Sequence, residues 1–178
     1  MPDVIELLEH DHREVEQMFA EFEAATTAAD KRAIADKIII ELVRHSEAEE
    51  QAVYPVMAKK IDGGKDLVEH EIDEHSNAEE LMKQMEKLDA DDPQLGVLMG
   101  QLKPAILEHI REEEGEAFPK LRQASSKAEL DKLGTVVQGL KKIVPTHPHP
   151  KAPDHPPFNA LLGPGAALVD RVRDLLKR

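Results

Sequence analysis

Two copies of one histidine–glutamate motif, 64 residues apart, constrain the fold of this chain more than any other feature. The first copy starts at His45, has a glutamate pair beginning at Glu49 and ends in a tyrosine–proline pair. The second starts at His109, has a glutamate pair beginning at Glu113 and ends in a phenylalanine–proline pair. We interpret the chain as one helical hairpin used twice, because a two-metal site inside a four-helix bundle takes the same ligand types from each half.

The apolar residues recur at helical spacing along the chain, and no segment alternates as a strand would. The first predicted helix follows a stripe from Ile5 and ends near Thr26-Thr27, and the second begins near Asp30, which can cap it. Pro55 must bend or break the second helix, because proline lacks a backbone donor and clashes with the preceding turn.

A glycine pair then separates the two halves, and a third helix follows it. The aspartate–proline pair at Asp92 predicts the start of the fourth helix, because proline is favoured at the first helical position. Ser126 and Glu129 have capping-box spacing and open a shorter fifth helix that ends near Val144. These elements predict an all-α fold, an up-down-up-down four-helix bundle with a short fifth helix.

The composition changes after the fifth helix, where proline and histidine become frequent and predict an extended segment. Near the end of the chain, Leu168, Val172 and Leu175 share one face of an amphipathic segment, which predicts a terminal helix that packs back on the bundle or meets a partner. We therefore divide the chain into a helical bundle over 1–144 and a Pro/His-rich tail over 145–178.

The charge and the residue types exclude several classes of function. A formal net charge of −13 over 178 residues disfavours nucleic acid and anionic membranes as partners. The chain has no cysteine, so any metal site must consist of histidine, glutamate and aspartate. The N-terminus has no signal-peptide pattern, and no uncharged stretch is long enough to cross a membrane, so we expect a cytoplasmic protein.

Helix geometry sorts the candidate ligands by the direction in which they point. Residues four apart lie about 6 Å from each other on one face, so each histidine–glutamate motif can aim both side chains at one point. His12 lies on the apolar stripe of the first helix, whereas His10 faces water. Glu71 shares a face with His75, and His70 lies about 140° away. Glu71 is therefore the preferred extra ligand, and His70 is the alternative.

Each of these features has a simpler explanation when it is taken alone. A single inward histidine is usually a hydrogen-bonded core residue, and one histidine–glutamate pair is common in acidic helices. The repeat and the shared inward faces together indicate a metal, because buried carboxylates without partners cost several kcal/mol each. The candidate ligands are His12, His45, Glu49, Glu71, His75, His109 and Glu113.

Other side chains near the motifs are weaker candidates. Tyr54 points away from the ligand face of an ideal helix, which favours packing over a role at the metals, although Pro55 weakens that argument. Glu50 and Glu114 are expected to be solvated or to contact the ligands. The alternative ligands or neighbours of ligands are His70, Tyr54 and His10.

As a whole, the pattern resembles the hemerythrin-like, HHE-type cation-binding domain family over roughly residues 4–122. The Pro/His-rich tail also resembles that of actinobacterial members. The resemblance implies two non-haem iron ions with two bridging carboxylates and a bridging oxo or hydroxo group. Carried over by position, one iron takes the histidines of the first half, the other takes those of the second half with Glu71, and the two motif glutamates bridge them.

The chain departs from the oxygen-carrying hemerythrins at two positions. Those proteins have a histidine where this chain has Glu71, and an aspartate one residue beyond the position of Glu113. The more anionic site is expected to stabilise ferric iron and to favour peroxide chemistry over reversible oxygen carriage.

The expected function is oxidative or nitrosative stress handling, with catalase-like decomposition of hydrogen peroxide. The expected partners are small diatomic or peroxide ligands and a redox or signalling protein. The alternatives are an O2, NO or iron sensor without turnover, and a bundle that holds zinc structurally.

Overall fold

The computed structural model describes residues 2–148, and the predicted terminal helix lies outside the described residues. Within 2–148 every regular element is helical, so the all-α prediction is confirmed. One π-helical turn, Glu49–Val53, connects α2 to α3, and a second, Glu113–Ala117, connects α5 to α6. The α-helices are α1 (Val4–Ala24), α2 (Ala28–Ala48), α3 (Tyr54–Lys60), α4 (Gly64–Met85), α5 (Gln94–Glu112), α6 (Phe118–Ala124) and α7 (Lys127–Leu140).

The helices form the predicted four-helix bundle with an additional fifth helix. Helix α1 packs against α2, and α4 packs against α5, so each half is a helical hairpin. Helices α2 and α3 continue one another through their π-helical turn, as do α5 and α6, so the bundle has four long rods. Helix α7 packs against α1 and against the first π-helical turn.

The ends of the helices agree with some of the predicted capping residues and boundaries and differ from others. Ser126 caps α7 in the predicted capping box with Glu129. The prediction that Asp30 caps α2 was wrong, because Thr27 is the capping residue and accepts the backbone N–H of Asp30. Helix α7 ends at Leu140, before the predicted end near Val144.

The bend predicted at Pro55 takes the form of a π-helical turn. Tyr54 N donates to Glu49 O, five residues back, so the turn contains one residue more than an α-helical turn. This wider turn comes directly before a residue that has no backbone N–H to donate and whose ring crowds the preceding turn. The second half repeats the arrangement, with Phe118 N bonded to Glu113 O ahead of Pro119.

Two apolar clusters fill the bundle, and a polar layer separates them. One cluster surrounds Phe19 and Leu102, and the other surrounds Leu8, Met57 and Leu121. The buried polar residues of the layer between them include His12, His45, Glu49, Glu71, His75, His109 and Glu113. A bundle core of this size with so many buried ionisable groups requires compensating charge.

The loop between the two halves depends on a close backbone approach. A Cβ at Gly64 would lie 2.3 Å from the carbonyl oxygen of Met57, so the backbone would have to move. We expect Gly64→Ala to lower the free energy of unfolding by about 1–3 kcal/mol. Gly100, on the exposed side of α5, has nothing within 4 Å of its Cβ position. Gly100→Ala should raise stability by up to about 1 kcal/mol, and equal effects in urea denaturation would refute this account.

Residues 141–148 turn back from α7 and pack against the end of α4. Lys83 Nζ donates to Pro148 O over 2.9 Å, and the His147 ring contacts Glu86. The beginning of the predicted tail therefore contacts the bundle, while residues 149–178 lie outside the described part of the chain. None of the helices within 2–148 has both the length and the apolar character needed to cross a membrane.

Candidate metal centre

Four buried histidines, one from each long rod, meet in the polar layer. The Nε2 atoms of His12 and His45, from the first hairpin, lie 3.2 Å apart. The Nε2 atoms of His75 and His109, from the second hairpin, also lie 3.2 Å apart. Imidazole nitrogens gathered in this way are potential ligands for iron, zinc or copper.

Glu49 connects the two histidine pairs. Its Oε2 atom lies 3.1 Å from His45 Nε2 on its own helix and 3.6 Å from His75 Nε2 in the other half. The first distance follows from the four-residue spacing of the motif, but the second is a tertiary contact between hairpins.

Glu113 has the equivalent position in the second half. Its Oε2 atom lies 3.4 Å from His109 Nε2 on its own helix and 3.3 Å from His12 Nε2 in the first hairpin. Each motif glutamate therefore directs one oxygen toward a histidine of both pairs, which places its carboxylate between the two halves.

Several carboxylate oxygens in this layer have no hydrogen-bond donor. Both oxygens of Glu49, both of Glu71 and Oε2 of Glu113 are buried without a hydrogen bond. Two groups of three potential ligand atoms, each within 4.8 Å of one another, consist of His12, His45 and Glu113 and of Glu49, His75 and His109. Buried carboxylates without donors are costly, so the residues present fit bound cations.

Electrostatics favour protonation of two histidines of the site, whereas burial and the charge of His109 lower the pKa of His75 well below its ordinary value. Burial lowers the pKa of His45, but Glu49 and Asp11 outweigh it and raise the pKa of this imidazole to about 10. Burial also lowers the pKa of His109, but the nearby carboxylates, chiefly Glu113, have the larger effect and raise it well above the ordinary value.

We therefore expect metal binding to release protons. The pKa values of His45 and His109 are both raised, that of His45 to about 10, which favours their protonated forms, whereas a metal binds the neutral imidazole. Binding should release at least about one proton per chain at pH 7, that of His45, and affinity should rise with pH toward the raised pKa values. Calorimetry in buffers of different ionisation enthalpy measures this number. Binding heats that do not depend on the buffer would contradict the expectation.

Tyr54 also lies in the site, so the prediction that it points away was wrong. Its Oη atom lies 3.2 Å from His75 Nε2 and donates to Glu113 Oε1 over 3.3 Å. The π-helical turn rotates every residue that follows it, and this rotation brings the tyrosine onto the ligand face. Its counterpart Phe118 stacks on His12 with ring centroids 5.7 Å apart but has no hydroxyl group.

The remaining predicted candidates lie at different depths. Glu71 is buried, and its Oε2 atom lies 3.1 Å from the outer nitrogen, Nδ1, of His109. His70 is 55% exposed and bonds Glu112, so it does not reach the polar layer. His10 is also exposed and pairs with Glu14, as the helix phase predicted. The structure therefore brings Glu71 beside His109 and leaves both of these alternatives at the surface.

The glutamate that follows each motif glutamate orients a histidine of the other half. His12 Nδ1 donates to Glu114 Oε1 over 2.8 Å, and His75 Nδ1 donates to Glu50 Oε1 over 2.8 Å. A carboxylate on the outer nitrogen directs the inner nitrogen of a ligand histidine toward a metal. These contacts also link the two hairpins across the site.

The other two histidines have outer carboxylates that sequence reasoning missed. His45 Nδ1 lies 3.4 Å from Asp11 Oδ2, and His109 Nδ1 donates to Glu74 Oε2 over 2.9 Å. A signal was present in the repeat, because Asp11 directly precedes His12 and Glu74 directly precedes His75. Lys141 Nζ, after α7, donates to the other oxygen of Asp11 over 2.6 Å, and no sequence pattern indicated this contact.

The fold and the donor set define a helical bundle that can hold metal ions through histidine and glutamate. The hemerythrin HHE cation binding domain model matches residues 3–121, and this chain belongs to that family. A hemerythrin-like protein of Schizosaccharomyces pombe is 30% identical over 169 residues, which cover 94% of this chain and 83% of that protein. The family predicted from the motifs is thus confirmed.

Two further similarities are more distant. The crystal structure of an HHE cation binding domain-containing protein from Mycobacterium kansasii has a TM-score of 0.69 and 20% identity, over 80% of this chain and 86% of that one. It supports the fold alone. A DNA nickase of Nostoc is 24% identical over 142 residues, which cover 80% of this chain but only 40% of that protein.

Proposed function

We propose that this chain is a non-haem di-iron protein that binds O2-derived ligands or nitric oxide and handles oxidative or nitrosative stress, with catalase-like decomposition of hydrogen peroxide. The observation that carries the proposal is the pair of buried carboxylates that each reach both histidine pairs. Two bound irons would supply two-electron redox chemistry, in which one peroxide is oxidised to O2 and a second is reduced to two waters.

The proposed ligand assignment gives one metal position to each hairpin. The histidines of a hairpin hold one ion, and Glu49 and Glu113 bridge the two. Tyr54 and Glu71 lie only at the position of the second hairpin. This position is therefore the more anionic one, which should favour ferric iron there. Glu71 contributes its charge from the outer side of His109 and stays a predicted ligand.

The space beside the histidines suits a very small ligand. A cavity of about 30 Å³ lies there, which is room for about two water-sized molecules. Its wall is largely aliphatic and excludes larger polar substrates. Besides the histidines, the lining residues include Val15, Leu42, Ala78, Met82, Ile106 and Ile110.

Tyr54 can hold a proton at the edge of this space. Burial and the nearby Glu49 and Glu113 raise the pKa of the phenol well above its ordinary value when no metal is bound. The Tyr54 hydroxyl then stays protonated and donates to Glu113 Oε1, whereas the other oxygen, Oε2, contacts His12 and His109. A bound ferric ion would oppose this shift and favour the phenolate.

We expect Tyr54→Phe to keep both metal ions but to change their spectrum. Phenylalanine occupies the equivalent position at Phe118, so the change in folding free energy should be below about 1 kcal/mol. The iron-loaded parent should have a visible phenolate-to-ferric band that the variant lacks. Identical visible spectra would place the hydroxyl outside the metal coordination.

Metal content and oxygen release test the proposal together. Protein from iron-replete cells should contain about two irons per chain and should release O2 when hydrogen peroxide is added. A single colourless zinc would contradict the di-iron assignment, because histidine–glutamate sites also accept zinc and manganese. Two irons without O2 release would contradict the catalase-like activity alone.

The alternative function is an O2, NO or iron sensor without turnover, and one set of contacts favours it. His45 connects through Asp11 to Lys141, the first residue of the segment that turns back onto the bundle. A ligand that moves His45 would thus act on this segment. Altered protection of residues 141–148 from hydrogen exchange upon nitric oxide binding would support the sensor, and unchanged protection would oppose it.

The remaining partners and the location are proposed on general grounds. The cyanobacterial nickase shares only part of its length with this chain, and a net charge of −13 disfavours DNA, so we do not extend that activity to it. We propose a cytoplasmic protein that uses a separate redox or signalling partner and binds no membrane.

A further inference from the structure

A group of three potential metal ligands lies on the surface directly outside the buried centre. His70 and Glu74 are on α4, and Glu112 is on α5. His70 Nε2 lies 2.9 Å from Glu112 Oε2 and 3.8 Å from Glu74 Oε1. One ligand atom from each residue falls within 4.8 Å of the other two. An imidazole with two carboxylates suits ferrous, manganous or zinc ions.

Glu74 belongs at the same time to a second, buried group. Glu71, Glu74 and His109 also place ligand atoms within 4.8 Å of one another. Side-chain exposure falls from 55% at His70 to 24% at Glu74 and 1% at Glu71. The shared glutamate therefore connects a solvent-exposed group of ligands to a ligand histidine of the centre.

Glu71 carries the independent evidence for a cation on this path. The Nδ1 atom of His109 has one hydrogen, which it donates to Glu74 over 2.9 Å. Glu71 is consequently left with both oxygens buried and without a hydrogen bond. The residue 63 positions earlier, at the equivalent place in the first half, is Leu8. A buried carboxylate without a hydrogen bond on one side only calls for a function of that side.

The same side of the bundle has a cleft that reaches the histidines. A cleft of about 180 Å³ lies between α4 and α5, and its lining includes Glu74, Glu108, His75 and His109. Of the three surface ligands Glu74 lines this cleft, so cations can approach the second histidine pair from solvent past Glu74 and Glu108.

We propose that His70, Glu74 and Glu112 form an uptake site for a divalent cation, which then passes by way of Glu71 into the buried centre. The destination of the ion rests on the proposed function, whereas the surface site does not. Arg111 also approaches Glu112, at 3.5 Å, but it bonds Glu108 more closely and leaves the other oxygen of Glu112 to His70.

A titration with Mn²⁺ tests the surface site. Full-length protein with its buried ions in place should bind one additional Mn²⁺ per chain, detected by electron paramagnetic resonance. His70→Ala and Glu112→Gln should abolish this ion. The matched controls are His10→Ala and Glu14→Gln. His10 and Glu14 form an exposed pair with the same four-residue spacing as His70 and Glu74, and His10 Nε2 lies 3.6 Å from Glu14 Oε1. Loss of the ion in the controls, or its absence from the parent, would overturn the surface site.

Reloading kinetics test the path. After chelation, ferrous iron should refill the His70→Ala protein at least about tenfold more slowly than the parent, with the same final content, since surface charges act on association rates. Glu71→Gln should be slowed as well, while the surface Mn²⁺ is retained. Unchanged rates would refute the path and leave His70 and Glu112 as an interhelical ion pair. A parent that binds the surface ion but no buried ions would refute the proposed function alone.

Discussion

Replacing His109 with alanine is expected to leave less than one metal ion per chain and to lower the free energy of unfolding by about 3–5 kcal/mol. The Nε2 atom of His109 lies 3.4 Å from Glu113 and 3.2 Å from His75, and its Nδ1 atom donates to Glu74. The variant therefore removes a ligand and also leaves buried carboxylates without a cationic partner. Elemental analysis and urea denaturation of the purified variant measure the two effects.

The control for this variant is the exposed histidine of the first helix. The side chain of His10 is 67% exposed and pairs with Glu14 at 3.6 Å. His10→Ala should retain the parent metal content and stability. If His109→Ala keeps two ions, the histidine is not a ligand and the assignment of the second metal position is wrong.

Removing the metal from the parent protein is expected to lower its thermal stability strongly. Ligand binding to the folded state alone adds about 4 kcal/mol when the free metal is at 1,000 times its Kd. Chelation should remove this contribution and also leave both oxygens of Glu49 and Glu71 and Oε2 of Glu113 buried without donors. We expect a large fall in the thermal midpoint, which scanning calorimetry with and without chelator measures.

A double variant separates this effect from a general action of the chelator. Glu49→Gln with Glu113→Gln removes both predicted bridging carboxylates but keeps the size of each side chain. Its thermal midpoint should be the same with and without chelator, because it should no longer hold the ions. A chelation effect as large as that of the parent would show that the stabilising metal binds elsewhere.

The main features of the site were predictable because they depend on local helix geometry and on repetition. His45 with Glu49, and His109 with Glu113, share a face through their four-residue spacing, whatever the fold around them. The phase of His10 and the surface position of His70 follow from the same geometry, and both agree with the structure.

Tyr54 was mispredicted because its direction depends on a departure from the α-helix. A side-chain direction predicted from helix phase assumes a rotation of about 100° per residue, as in an α-helix. The π-helical turn adds one residue before the tyrosine and so changes that direction. Pro55 marked the place where the helix would change, but it did not specify the kind of change. The contact of Lys141 with Asp11 was also not predictable, because it depends on where α7 packs.

The sequence by itself determined the helical class, the duplicated hairpin, the family and the inward-facing histidines and glutamates, because periodicity and motif spacing act within single helices. Only the tertiary structure decided which residues of different helices meet. It brings each motif glutamate to both histidine pairs, places Glu50 and Glu114 on histidines of the opposite half, and sets Glu71 at the outer nitrogen of His109. Such contacts arise from the packing of one hairpin on the other, and spacing along one helix does not contain that information.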